Sequence, residues 1–299
     1  MGVVTSEERI PSMSQTIQIF IPSYNRAGKT KTPALLEACD VHNYKIIVRP
    51  SQYEAYAQFH DKSNLIKLDA NEGLSYAREF IRRRVKRGEW CLHMDDNVLG
   101  FQVPKVSFYR SHDHLDLGQG TWKEKCKRAS KIMSRNVDFE EFYNVVIKDT
   151  IKEADKRGAA LCGFAALSTG AFRLHKWIDV GYVCGKIMLM KNVGFPWRHI
   201  KVSVGEDYAL TAAHLLKFGR ILINKWGWPR RTHYAPGGCG TYEERLPEMI
   251  RTSVELMRRY PGLFREKPED EHSKSKGELR IRFHNLTAVE RWRKEMGVL

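Results

Sequence analysis

Residues 88–97 read "GEWCLHMDDN", an apolar run driven directly into Asp95, Asp96 and Asn97. A short apolar segment bounded by a glycine reads as a buried strand. Its polar end places hard oxygen ligands at the strand's mouth, which suits a divalent cation that takes the rest of its shell from water and a diphosphate. Asp and Asn also favour plain turns, so a strand-terminating turn explains the same three residues in isolation.

The surroundings of this strand decide between the two. Upstream, strands and helices alternate: "IQIFIPS", "TPALLEAC", "YKIIVRP", "QYEAYAQF", "NLIKLD" and "GLSYAREFIRRRVK" precede "EWCLHMDD". That βαβαβαβ rhythm predicts a mostly parallel α/β sheet wrapped by helices. In such sheets the ligand crevice lies beyond the carboxyl ends of the strands, where Pro22 to Arg26, Arg49 and Asp95 to Asn97 fall.

Residues 98–135 break the pattern with Gly100, Pro104, Gly118 and Gly120, and predict a long loop or lid. Beyond it the spacing predicts a helix near 138–157, strands at "AALCGFAAL" and "KIMLMK", a helix after "GEDYALTAAHLLKFG" and a strand at "RILINKW". A helix around 243–259, a hydrophilic stretch, a short "LRIRF" strand and a last helix close the chain. The expected division is a domain over 1–240, with 98–135 as a basic excursion, and a helical C-terminal extension over 241–299.

The 299 residues carry 50 Lys and Arg against 35 Asp and Glu, a formal net charge of +15. Such a balance points to a polyanion or a phosphorylated ligand among the partners, although a basic, soluble surface has the same composition. The six cysteines are scattered with no CxxC pair, which fits reduced thiols in a cytoplasmic protein. Neither a signal-peptide core nor an 18-residue uncharged apolar run is found, so no membrane partner is expected.

About 110 residues after the first acids, Glu206 and Asp207 follow Gly205 at the predicted start of a helix. Acids stabilise a helix N-terminus, so capping alone accounts for one of them.

The segment "ANEGLSYAREFIRRRVKRGEWCLHMDDN" resembles the core of the GT-A fold nucleotide-sugar glycosyltransferases, especially the inverting family 2 group. "NVGFPWRHIKVSVGEDYALTAAHLLKFGRILI" is similar to that family's acceptor and catalytic segment, and "IQIFIPSYNRAGK" to its opening strand and nucleotide loop. The likeness covers roughly residues 17–240. It implies that Pro22, Ser23, Tyr24, Arg26 and Arg49 hold the nucleoside and that Arg78 faces the diphosphate. Asp95 would hold the ribose or a metal, with Asp96 on the donor side. Asn97 stands where the family has a metal-binding aspartate, and an amide brings no charge to a cation. Asp207 would be the general base, Glu206 would shape the acceptor pocket, and His233 would add a metal ligand from the C-terminal side. The implied cofactor is Mn2+ or Mg2+, with a UDP-sugar as co-substrate.

The excursion over 98–135 holds eight Lys and Arg against three acids, interleaved with Phe108, Tyr109 and Trp122. Cations for phosphates and flat rings for an exposed base suit a nucleic-acid groove, with Arg110, Trp122, Lys123, Lys125, Lys127 and Arg128 as candidates, although a solvated loop has the same composition. The "RRRVKR" run at 82–87 reads as an exposed helix face. The basic balance with "IPSYNR" and "HMDDN" looks like the TET-associated glycosyltransferases of bacteriophages, which implies transfer of a sugar onto 5-hydroxymethylcytosine in double-stranded DNA, in the host cytoplasm. Two alternatives remain: a family 2-like transferase with a carbohydrate or protein acceptor, and a DNA-binding module on a degenerate transferase fold.

Overall fold

The computed structural model describes residues 17–105, 119, 134–165, 176–198, 202–231, 240–266 and 278–299. The first half follows the expected alternation: β1 (Gln18–Pro22), α1 (Thr32–Glu37), β2 (Tyr44–Val48), α2 (Tyr53–Ala57), β3 (Leu65–Lys67), α3 (Leu74–Arg84) and β4 (Trp90–Met94). Next come β5 (Val98–Pro104) and β6 (Ser134–Val137), then α4 (Phe139–Phe142), which runs through a π-helical turn into α5 (Lys148–Arg157). The remainder comprises β7 (Leu161–Phe164), β8 (Trp177–Ile178), β9 (Ile187–Lys191), α6 (Glu206–Phe218), β10 (Leu222–Asn224), β11 (Trp228–Arg231), α7 (Tyr242–Arg259), β12 (Phe264–Glu266), β13 (Leu279–Ile281) and α8 (Leu286–Glu295).

Eight strands form one sheet in the order β3-β2-β1-β4-β9-β7-β10-β8. Successive side chains alternate between its faces, and both faces are buried. Phe20, Cys91, Met188 and Met190 pack towards α3 and α6 in one apolar cluster. Ile19, Ile21, Leu92 and Leu189 sit in the opposite cluster with Leu36 of α1 and Ala154 of α5. The result is an α/β fold with a central sheet flanked by helices, of GT-A-like form.

The sheet is mostly parallel, with two reversed strands, β9 and β8, in its second half. β1 pairs in parallel with β2 and β4, and β2 with β3. β9 runs antiparallel to both β4 and β7, and β8 antiparallel to β10. Inserting β9 backwards next to β4 sets its first residues beside the last residues of β4.

The predicted loop over 98–135 begins and ends as strand. β5 pairs with β6 and β11 in a three-stranded sheet, with Val98, Phe101 and Val103 turned inward. Gly100 and Pro104 read as breakers, but the alternating burial of the residues around them is that of a strand. Within the "RRRVKR" run, Arg82 is buried against Glu79 and Asn192, while Arg83, Arg84, Lys86 and Arg87 are exposed.

The C-terminal part shares the first apolar cluster: Leu256, Tyr260, Phe264, Leu279, Ile281, Val289 and Trp292 join the residues of α6. It adds a β12–β13 hairpin to the expected helices. Cys39, Cys91, Cys162 and Cys184 are free thiols. No helix among the described residues is long and apolar enough to cross a membrane.

Candidate active site

The strand order reverses direction between β1 and β4, with β2 and β3 wound outward on one side and β9 on the other. At such a switch point the carboxyl ends of two adjacent strands open a crevice. Here those ends are Pro22 to Arg26 after β1 and Asp95 to Asn97 after β4.

Asp96 knits the two ends together. Its carboxylate accepts from the Arg26 guanidinium and, at 2.5 Å, from the Ser23 hydroxyl. Tyr56 reinforces the loop, its hydroxyl lying 2.7 Å from Ser23 Oγ and accepting from the Arg26 amide at 3.0 Å. Burial pushes the Asp96 carboxyl above its ordinary value, and Arg26 and Ser23 pull against that shift. From behind, the Lys31 amide donates to the Asp96 carbonyl and the Thr32 hydroxyl accepts from the Val98 amide, so the start of α1 fixes the acidic turn. Beside it, the Arg49 guanidinium lies 3.9 Å over the Tyr24 ring and donates to the Glu72 carbonyl.

Asp95 faces the other way, its side chain about a quarter exposed. Its amide donates to the Lys186 carbonyl at the start of β9, and this bond brings the 182–186 loop to the end of β4. Arg78, one turn into α3, is 1% exposed and lies beneath the crevice rather than in it. Its Nε and Nη2 reach Glu206 Oε1 at 3.1 Å, Nη2 donates to the Gly185 carbonyl at 3.0 Å, and Asp95 Oδ1 stands 3.9 Å away. Among the described residues, Nη1 is buried without a hydrogen-bond partner, as is His93 Nδ1. Burial and Arg78 together hold His93 well below its usual value, so it is neutral.

Gly205 takes φ +79°, a left-handed conformation that lets the chain turn sharply into α6 with Glu206 and Asp207 in its first turn. Asp207 Oδ2 accepts from the Tyr182 hydroxyl and from the Gly185 amide at 3.1 Å. Tyr182 in turn stacks on Tyr208 at 4.3 Å between ring centres. Burial first, then the neighbouring Asp207 charge, raises Glu206 from its ordinary value to about 7, against the pull of Arg78. Asp95 also raises it, so acids 111 residues apart in sequence act on one another here. Two close carboxylates, one holding its proton near neutrality, form an arrangement suited to taking a proton from a hydroxyl.

Gly185 is the point of closest approach. A Cβ there would stand 2.6 Å from Arg78 Nη2, 3.3 Å from Glu206 Oε1 and 3.4 Å from Asp207 Oδ2. Gly185→Ala is therefore expected to cost about 1–3 kcal/mol of stability and to lower turnover more than donor affinity, measured by denaturation and by kcat against donor Kd. Gly185, Tyr182 and Tyr208 were not expected from the sequence. The pattern "GYVCG" offers only a glycine-flanked aromatic as a signal, and the partner that makes it matter lies on α6.

Among the described residues no group of three or more His, Cys, Asp and Glu side chains is arranged to enclose a metal. The donors present, the Asp95 carboxylate and the Asn97 amide beside an Asp96 committed to Arg26, fit a cation held partly by substrate phosphates rather than by an all-protein cage. His233 and the nucleic-acid candidates Arg110, Trp122, Lys123, Lys125, Lys127 and Arg128 lie outside the described residues.

The sheet is GT-A-like, with carboxylates gathered at its switch point. The family model described as TET-Associated Glycosyltransferase matches residues 17–210, more than half of the chain. The chain belongs to that family and is a glycosyltransferase. No curated protein matches it.

Proposed function

We propose that the protein is an inverting glycosyltransferase that moves a sugar from a UDP-sugar to the hydroxymethyl group of 5-hydroxymethylcytosine in double-stranded DNA. The observation that carries this is the meeting of Asp95, Glu206 and Asp207 around Arg78 and Gly185. Tyr24 and Arg49 offer a flat cationic face for the nucleobase, and Ser23 and Arg26 shape the loop for the ribose. A divalent cation bound through Asp95 and Asn97 would neutralise charge on the departing diphosphate. Arg78 keeps the acids of β4 and α6 in register. Asp207 takes the hydroxyl proton as the acceptor oxygen attacks the anomeric carbon and the C–O bond to the diphosphate breaks with inversion. Negative charge grows on the leaving group in that step, so cationic groups there stabilise the transition state more than the ground state.

The test is to incubate the protein with 5-hydroxymethylcytosine DNA, a panel of UDP-sugars and Mn2+ or Mg2+, and to weigh the released nucleosides by mass spectrometry. A sugar-sized mass gain on hydroxymethylcytidine is expected with at least one donor. No gain across the panel would remove this acceptor.

A further inference from the structure

We propose that the C-terminal β12–β13 hairpin is a docking ribbon for the phosphate backbone of the DNA acceptor, a surface separate from the 98–135 excursion. It rests on duplex DNA being the acceptor. The hairpin alternates cleanly: Phe264, Leu279 and Ile281 are buried, while Arg265 and Arg280 are exposed and stand directly opposite each other across the two strands. Arg282 continues the same face, its amide extending the ladder to the Leu263 carbonyl. Like charges in directly opposed cross-strand positions destabilise a hairpin. Such a pair is tolerable where an anion sits between the charges.

The contrast with α7 strengthens the case. There Arg251 and Arg258 are each clasped by a glutamate three residues back, at 2.5 Å and 2.8 Å. Among the described residues no carboxylate forms an ion pair or side-chain hydrogen bond with Arg265, Arg280 or Arg282, although Glu266 adjoins the first of them. Three guanidiniums are thus presented to solvent on one face of a two-stranded ribbon, and arginine's fork of donors matches phosphate oxygens.

The hairpin's other face leads to the chemistry. Phe264 meets Tyr208 edge-on at 6.1 Å, Tyr208 stacks on Tyr182, and the Tyr182 hydroxyl is bonded to Asp207. Only three aromatic rings separate the ribbon from the base of the transfer reaction. A duplex held on the outer face is thus anchored on the element whose inner face packs along the aromatic path to Asp207.

The experiment uses the full chain and a fluorescent 5-hydroxymethylcytosine duplex, with binding measured from about 50 to 200 mM salt. The triple variant R265Q/R280Q/R282Q is expected to bind at least tenfold more weakly at the low-salt end. Its slope of log affinity against log salt should be shallower by about 2–3, near 0.9 per lost phosphate contact. Donor binding should stay unchanged, and the thermal midpoint should hold or rise as the cross-strand repulsion is removed. The triple Lys variant should restore most of the slope, and Arg258→Gln, whose partner is Glu255, should leave it alone. Wild-type slope and affinity in the triple Gln variant would overturn the ribbon while leaving DNA as acceptor. Absence of salt-sensitive duplex binding by the wild-type protein would overturn both.

Discussion

Asp207→Asn is expected to lower kcat for sugar transfer by about 10²–10⁴-fold, the range a positioned general base contributes, while donor Kd shifts by less than about threefold. The amide retains an oxygen that can accept from the Gly185 amide and the Tyr182 hydroxyl, so the loop over 182–186 keeps its place. What is lost is the capacity to receive a proton in the chemical step. A variant that loses donor binding in parallel with turnover would make Asp207 a structural residue, and single-turnover kinetics beside calorimetric donor binding separates the two.

Glu206→Gln is expected to stabilise the fold at alkaline pH while weakening turnover. Glu206 is raised from 4.5 to about 7 in the folded protein, chiefly by burial and then by Asp207. The native state therefore holds a proton that the unfolded chain releases between about pH 4.5 and 7. Its contribution is fully present below the unfolded value and is lost as pH rises through about 7. A shift of that size corresponds to on the order of 3 kcal/mol, an upper bound on what Gln returns at pH 8, since Gln keeps the neutral form's shape at every pH. His214 acts oppositely: burial holds it at about 4, so its stabilising effect is present above its unfolded value near 6.5 and lost on acidification. Denaturant titrations between about pH 4.5 and 8, read as the difference between wild type and the Gln variant so that His214 cancels, isolate Glu206. Relative to the Gln variant, the wild type should lose stability as pH rises to about 7 and level off above it. Parallel curves for the two would place the ionisation elsewhere.

Much of the fold is legible because short-range signals agree with long-range ones. The short apolar runs of β1 and β4 and the helical spacing of α3 place the strand ends where Ser23, Arg26 and Asp95 emerge, and Gly205 marks the turn into Glu206 and Asp207. What stays hidden depends on pairing at a distance. Nothing in "KIMLMK" tells which way β9 runs, yet its antiparallel seat beside β4 delivers Gly185 and Tyr182 to the site. Gly100 and Pro104 suggest a loop, and only the pairing of β5 with β6 and β11 shows a strand that tolerates them. Arg78 is the sharpest case. Its helix and register can be read from sequence, but its burial against Glu206 and Gly185 depends on residues more than a hundred positions away.

The central claim is that acids from β4 and from α6 serve one activated sugar. A crystal structure with an intact UDP-sugar analogue and Mn2+ tests it most directly. The account predicts the diphosphate beside Asp95 and Asn97 and the anomeric carbon facing Asp207, with room for an acceptor hydroxyl between them. A donor bound with its sugar turned away from Asp207, or seated elsewhere on the chain, would contradict it.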